Sequence, residues 1–512
     1  MGLKKGKIKG YYDFSGGINV STVANIIADN ELQFDFYHFD GTKNCYWDNG
    51  IRKRAGLSKK NTTAFTNIKG GIRYYGDNDY KCTLFADFNG TNLDIYCYDD
   101  INFTKLFTLT DVDEDRDVFF CQWKNAIYMT TGITPVKKFS YNGSSWSVLE
   151  LDGLKDASGN VYHPQFIYQF KDRLWTAGGN MPESYFECSA YDDDNEWTYG
   201  DYAKGEGFNA GYKEGDKIMG LSSVADMMVV FKYDSIWVLQ GDNLINWFQK
   251  KSQKEIGCNA SKSIVGMHNY IIFASNDGIF VFDGVNLVKI SYKIDQILNH
   301  TFNKEKFKAT FDGRFYRLAI NKDDDNTNYE LIFDVLLFKQ NIISWWFNDF
   351  GININGYVNY NGEMDDNELI ILSDTNYYIY TGYSDDGNDI EMKVVTKAFD
   401  FGLQNILKRY GIVKFNFTGY AGTYHIRIYR NINKDLFRDY TYESANAELI
   451  WDGGNWDEDV WNVEGLSNYL KEIALPSLFD GYNLVIEITH NETKGENILF
   501  FGFTIEYNVA RY

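Results

Sequence analysis

Carboxylates are the side chains best placed by spacing to do chemistry in this chain. Asp111, Asp113, Asp115 and Asp117 alternate along DVDEDRD, as the ligands of a calcium loop would. The sixth position is Arg116, where such a loop needs glycine for its sharp turn. The twelfth is Gln122, not a bidentate Glu. A solvated acidic loop explains the run better. The triplets Asp192, Asp193, Asp194 and Asp323, Asp324, Asp325 read the same way, as acidic loop tips. The six His are dispersed, with no HExxH and no Cys–His spacing, so zinc is not expected, and no other cofactor is. GxSxG, GxxxxGK[ST] and a GxGxxG following a strand are all missing, so no nucleophile or phosphate-cradling motif suggests an enzyme. Ser140–Trp146 (SYNGSSW) faintly resembles the Asp box of propeller glycosidases, but it is a residue short and has Asn for Asp. Trp345 and Trp346, with Trp451, Trp456 and Trp461, could stack on sugars or pack in a core. In a half-buried strand the first two face opposite ways, so at most one is expected inside.

These residues must be positioned by β-structure. The chain has 512 residues, 44% of them hydrophobic and 17% aromatic, with 39 Tyr, 38 Phe and only 4 Pro. Such a composition favours pleated, half-buried surfaces and excludes proline-rich and disordered classes. Helical periodicity is confined to short stretches near residues 21–32 and 292–303. Elsewhere apolar residues alternate at period two, punctuated by Asn89-Gly90, Asn142-Gly143, Asp277-Gly278, Asp283-Gly284 and Asp312-Gly313. Those dipeptides are hairpin turns, because both turn residues must accept positive φ.

Aligned on these turns, the chain repeats. The clearest unit is 263–284, read as strand, turn, strand, turn, strand. Related units occupy 79–109, 118–146, 166–197, 218–247, 309–347 and 354–383. About seven units near 45-residue spacing match four-stranded propeller blades, which must stack in a ring to bury both faces. The expected fold is all-β: a β-propeller of seven blades, uncertain by one, over 66–385. An extended N-terminal arm or collar (1–65) precedes it, and a β-sandwich-like domain (386–512) built of longer strands follows.

Net charge is −21, which argues against a protein that grips DNA or an anionic membrane. The balance is uneven. Residues 1–65 hold ten basic against six acidic side chains, a surplus of four on an otherwise acidic body. Lys4, Lys5, Lys7, Lys9, Arg52, Lys53 and Arg54 are therefore candidates for docking on an acidic partner. The six cysteines have no CxxC spacing and read as reduced thiols made in a cytoplasm. The opening MGLKKGKIKG leads into YYDFSGG rather than an apolar run, so no signal peptide is expected. No apolar run approaches 18 residues, so no transmembrane helix is expected either.

Three ordered elements carry a resemblance. Ser15-Gly16-Gly17-Ile18-Asn19 is followed by Asp29-Asn30-Glu31 and then by Gly50-Ile51-Arg52-Lys53-Arg54-Ala55-Gly56. The stretches FKYDSIWVLQGD, EIGCNASKSI and IIFASNDGIFVFDG follow, and FFGFTIEYNVARY ends the chain. Together they resemble phage tail nozzle or hub proteins (the tail tubular protein B-like, stabilisation or muzzle family). Ala55 departs from the Pro that short-tailed relatives carry, so no position within the tail is assigned.

The resemblance implies a structural virion component, not an enzyme, made in the bacterial host cytoplasm. It implies a ring of identical copies, six-fold, below the portal and adaptor and in contact with other tail proteins. Such a ring continues the DNA channel, retaining and then passing the genome during ejection without binding it tightly. Acidic loops suit a conduit that must not hold phosphate, so the Asp runs above are candidates for the channel lining. The alternatives are a receptor- or glycan-binding tail module and a propeller-fold glycan-processing enzyme.

Overall fold

Each Asn-Gly or Asp-Gly step falls at a hairpin, but only its glycine takes positive φ, because most of these loops are four residues long (89–92, 142–145, 283–286 and 312–315) rather than two. Gly90, Gly143, Gly278, Gly284 and Gly313 all have positive φ, between 90° and 132°. The strands between them assemble into consecutive four-stranded antiparallel meanders. The computed structural model describes residues 7–20, 27–61, 65–99, 102–198, 204–242, 246–267, 269–358, 369–403, 405–418, 423–430, 435–443, 468–475, 480–491 and 499–509.

Seven meanders form the blades of a β-propeller. Their first strands are Ile68–Tyr75, Phe119–Trp123, Phe166–Phe170, Ile218–Val224, Val265–Met267, Lys308–Phe311 and Gly356–Val358. Each touches the first strand of the next blade, and the seventh touches the first, so the ring is closed around a central channel. Blades bury both faces against their neighbours. Blade five shows this in Phe273 and Phe280, which pack with Phe231 of blade four, while its Ile272 and Val281 pack with Tyr316 and Leu318 of blade six.

Closure of blade seven is not sequential. Its first three strands are Gly356–Val358, Ile370–Leu372 and Tyr377–Tyr380, but its fourth is Leu57–Lys59, paired Leu57 to Tyr380 and Lys59 to Tyr378. The N-terminal segment is extended, and it is woven into the rest of the molecule rather than standing apart as an arm. Its strand Lys7–Tyr11 pairs with Leu499–Val509, and Ile51–Lys53 pairs with the other end of that strand. Asn44 donates to the Phe347 carbonyl at the edge of blade six (2.8 Å).

The C-terminal part is a two-sheet sandwich. One sheet holds Lys408–Thr418, Asn468–Ala474 and Leu499–Val509 with the N-terminal strands, and the other holds Glu391–Val395, Thr423–Arg430, Asp435–Glu443 and Leu484–Asn491. Phe415, Phe503 and Ile505 of the first sheet meet Val394, Ile426 and Ile488 of the second in one core.

That core reaches into blade six and corrects one expectation. Trp345 and Trp346 are both fully buried. They do face opposite ways, but Trp345 packs in the core between blades while Trp346 enters the sandwich core. Their strand is covered on both faces, so the half-buried premise fails. Of the two stretches with helical periodicity, residues 21–26 lie outside the described residues and 32–35 form a strand. The other gives a single turn, Asp295–Asn299.

Candidate functional site at the mouth of the propeller channel

In an antiparallel meander, the links between blades share one face of the ring with the links between second and third strands. The loop 110–118, joining blades one and two, therefore lies on the same face as residues 323–325 of blade six. Residues 192–194 join the third and fourth strands of blade three and lie on the opposite face. The three acidic runs thus do not share one rim of the propeller.

The 110–118 loop crosses the channel mouth. Asp117 Oδ1 pairs with Lys262 Nζ at 2.9 Å, and Asp115 Oδ1 with Lys306 Nζ at 3.4 Å. Lys262 lies on the turn leading into blade five and Lys306 on the turn leading into blade six. Lys262 also donates to the Lys69 carbonyl of blade one (3.0 Å), and Gln165 beside blade three donates to the Asp117 carbonyl (3.0 Å). Asn355, just before blade seven, donates to Asn67 Oδ1 (3.1 Å), whose own amide reaches Glu114 Oε1 (3.1 Å). Residues from most of the ring therefore converge on this mouth.

Four ammonium groups gather there: Lys69, Lys262, Lys306 and Lys308. Burial, together with the like charges of Lys262, Lys69 and Lys306 and against the pull of Asp117, brings the Lys308 amine down to about 7. Lys69 is also lowered, first by burial and then by Lys262, with Glu114 opposing. For Asp117, burial alone would raise the carboxyl, but the ammonium groups of Lys262, Lys308 and Lys306 outweigh it and hold it below its ordinary value. Its side chain nevertheless remains 49% exposed, so the mouth is walled by protein and open to water.

None of the four lysines was singled out by sequence. They stand at positions 69, 262, 306 and 308 with no local motif, and only ring closure brings them together. Of the expected channel-lining acids, Asp115 and Asp117 alone meet this cluster. Asp111 is exposed and Asp113 pairs with Arg116 (3.7 Å). Asp192 pairs with Lys124 (2.5 Å), and Asp193 caps the Asn195 amide (2.9 Å). Asp194 is internal, accepting from Tyr128 (2.7 Å) and Lys138 (2.5 Å). Asp323 stands 3.8 Å from Lys322, Asp324 accepts from the Asn326 amide (2.8 Å), and Asp325 is exposed.

The expected docking cations separate in the same way. Lys4 and Lys5 lie outside the described residues. Lys7 is exposed, and Lys9 pairs with Asp29 (3.3 Å), which also holds Lys397 (2.6 Å). Arg52 pairs with Asp48 (3.0 Å), and Lys53 meets His490 Nδ1 (3.3 Å). Arg54 is not a docking residue, because its side chain is fully enclosed. Its donors are spent on Asn44 Oδ1, the carbonyls of Ala55 and Asp349, and both oxygens of Asp385. Among the sugar-stacking candidates, Trp345 and Trp346 are buried, and Trp451, Trp456 and Trp461 lie outside the described residues. In SYNGSSW, Asn142 Oδ1 accepts from the amides of Ser144 (3.0 Å) and Ser145 (2.9 Å), an ordinary hairpin turn.

No protein-family model matches the chain, and no curated relative does. Solved structures similar to it include the WD40 repeats of RRP9, at 8% identity and TM-score 0.41 over 64% of this chain and 99% of that one. BamB from Moraxella catarrhalis gives 10% and 0.37 over 65% and 91%. The Neurospora crassa Pan2 WD40 domain gives 8% and 0.36 over 63% and 97%. The chain is a seven-bladed, all-β propeller carrying a β-sandwich, and among the described residues no helix is long and apolar enough to cross a membrane.

Proposed function

We propose that this chain is a structural, non-enzymatic segment of a bacteriophage tail. Identical copies form a nozzle or hub ring below the portal and adaptor, contact other tail proteins and continue the DNA channel. The site of action is the virion. One observation supports this reading: two of the sequence elements that carry the resemblance, those around Gly17 and around Arg54–Gly56, lie at seams of the molecule. Gly17, with φ +68°, lies against the backbone of Trp345, where a Cβ would overlap the carbonyl oxygen. Arg54 and Gly56 sit where the chain enters the propeller, and a Cβ on Gly56 would overlap the Ser384 backbone. A motif spent on welding a propeller to a sandwich suits a part that bears load.

Negative-stain images and mass measurement of the purified full chain test this. Rings of identical copies are the expected result. A monomer at all concentrations that binds glycans on an array, or that turns over a polysaccharide, overturns it in favour of a receptor-binding module or an enzyme. The two buried tryptophans leave the glycan-binding alternative without its adjacent pair of platforms.

A further inference from the structure

We propose that the channel mouth of the propeller is a binding site for a small, multiply charged oxyanion such as phosphate, held chiefly by Lys308 and Lys69. The inference does not depend on the tail reading.

The argument rests on which cations the fold leaves uncompensated. Asp117 satisfies Lys262 and Asp115 satisfies Lys306. Among the described residues, neither Lys69 nor Lys308 stands in an ion pair. Lys308 Nζ has Asn355 Oδ1 at 3.5 Å, at the outer limit of a hydrogen bond, and Lys69 Nζ lies 5.5 Å from the Phe88 ring centroid. Both lysines belong to first strands, of blades one and six, which flank the first strand of blade seven and face the channel. Lys69 feels Glu114 and Lys308 feels Asp117 at a distance, but neither ammonium is paired, and an anion placed between them adds the close contact that these carboxylates do not make. Burial first, and the neighbouring ammonium groups after it, lower the Lys308 amine.

Surrounding charge limits the ligand's size. Lys262 reaches the Lys69 carbonyl across the mouth, and Asp115 reaches Lys306 from the opposite side. These contacts draw blade one toward blade five and the 110–118 loop toward blade six. Glu114, Asp115 and Asp117 surround the cations with negative charge, which disfavours a long polyanion whose further phosphates must sit beside them. Binding draws a proton onto Lys308 near neutral pH, because the charged amine is the form that the anion favours.

The test is calorimetric titration of the full chain with inorganic phosphate, and separately with sulfate, whose charge is constant between pH 6 and 8.5. One site per chain is expected, with sulfate bound more tightly at pH 6 than at pH 8.5. Lys308→Met and Lys69→Met should each weaken binding roughly tenfold or more, while Lys254→Met, on an exposed outer strand, should not. Thermal melts of each variant separate lost binding from lost folding. In a variant that fails to fold, competition of sulfate with phosphate on the parent chain supplies the readout. No saturable phosphate or sulfate binding overturns the proposal. So does affinity unchanged in both variants, or a single-stranded oligonucleotide that displaces phosphate at equal phosphate concentration.

Discussion

Arg54 and Asp385 meet edge to edge, with Nη2 to Oδ2 at 2.6 Å and Nη1 to Oδ1 at 2.9 Å. One lies where the chain enters the propeller to complete blade seven, the other where it leaves the third strand of that blade for the sandwich. The guanidinium also stacks 4.2 Å from the Phe350 ring centroid. This planar fork therefore ties three lengths of chain that are far apart in sequence.

Removing the fork leaves a half-buried carboxylate without its two donors, while Asn44 Oδ1 keeps only the Asp349 amide (2.9 Å). Arg54→Met should cost about 3–5 kcal/mol of unfolding free energy, and Arg54→Lys should recover only part of it, since an ammonium cannot serve both oxygens in plane. Urea unfolding of the full chain measures this. A loss below 1 kcal/mol would show that the clamp is ornamental.

Gly17→Ala should be costly for a different reason. The position combines φ +68° with an approach to the Trp345 backbone that admits no Cβ. Left-handed strain and displacement of blade six's edge together should remove roughly 2–5 kcal/mol. Gly143→Ala, also at positive φ but with open space around it, isolates the strain alone and should cost less. Differential melting of the two variants separates the contributions.

Glu187, on the third strand of blade three, is driven up to about 8 by burial, so it carries its proton at neutral pH. Tyr185 donates to its Oε2 (2.9 Å). A carboxyl raised in the fold costs nothing below its unfolded value near 4.5. Its penalty grows as pH rises toward 8 and is constant above. Glu187→Gln should therefore match the parent near pH 4 and exceed it in urea midpoint at pH 8 and above. A constant difference across that range would refute the assignment.

Lys308 has the opposite sign. Its amine is lowered from 10.5 to about 7, so the folded state binds fewer protons than the unfolded chain between those values. Stability lost to this group is full below pH 7, shrinks as pH rises, and vanishes above about 10.5. Without added anion, Lys308→Met should gain on the parent most at pH 6–7 and least at pH 10, read from paired urea titrations.

Blade number was legible in the sequence because the evidence for it is local. Asp277-Gly278 and Asp283-Gly284 announce their turns through backbone requirements that few other residues meet, and alternation marks the strands between them. The fourth strand of blade seven was not legible. Leu57–Lys59 is three residues long and pairs with a strand more than 300 positions away, and nothing in LSK names that partner. The burial of both Trp345 and Trp346 was hidden likewise, since a strand's own pattern does not reveal a second layer behind it. Arg54 read as one more surface cation in a basic run, because charge counts do not distinguish a solvated side chain from one whose donors are all used. The lysine cluster depends on closure of the ring and left no trace in any short window.

The strand that locks blade seven emerges early in synthesis, yet its partner Tyr377–Tyr380 is made some 300 residues later. At ribosomal speeds of about 5–20 residues per second, Leu57–Lys59 waits tens of seconds with its hydrogen-bonding edge unmatched. The polypeptide is thus exposed to wrong pairings, including with the same segment of a neighbouring nascent chain, until residues 377–380 have been made. Slower elongation would lengthen that interval, and shortening the chain before position 377 would make it permanent.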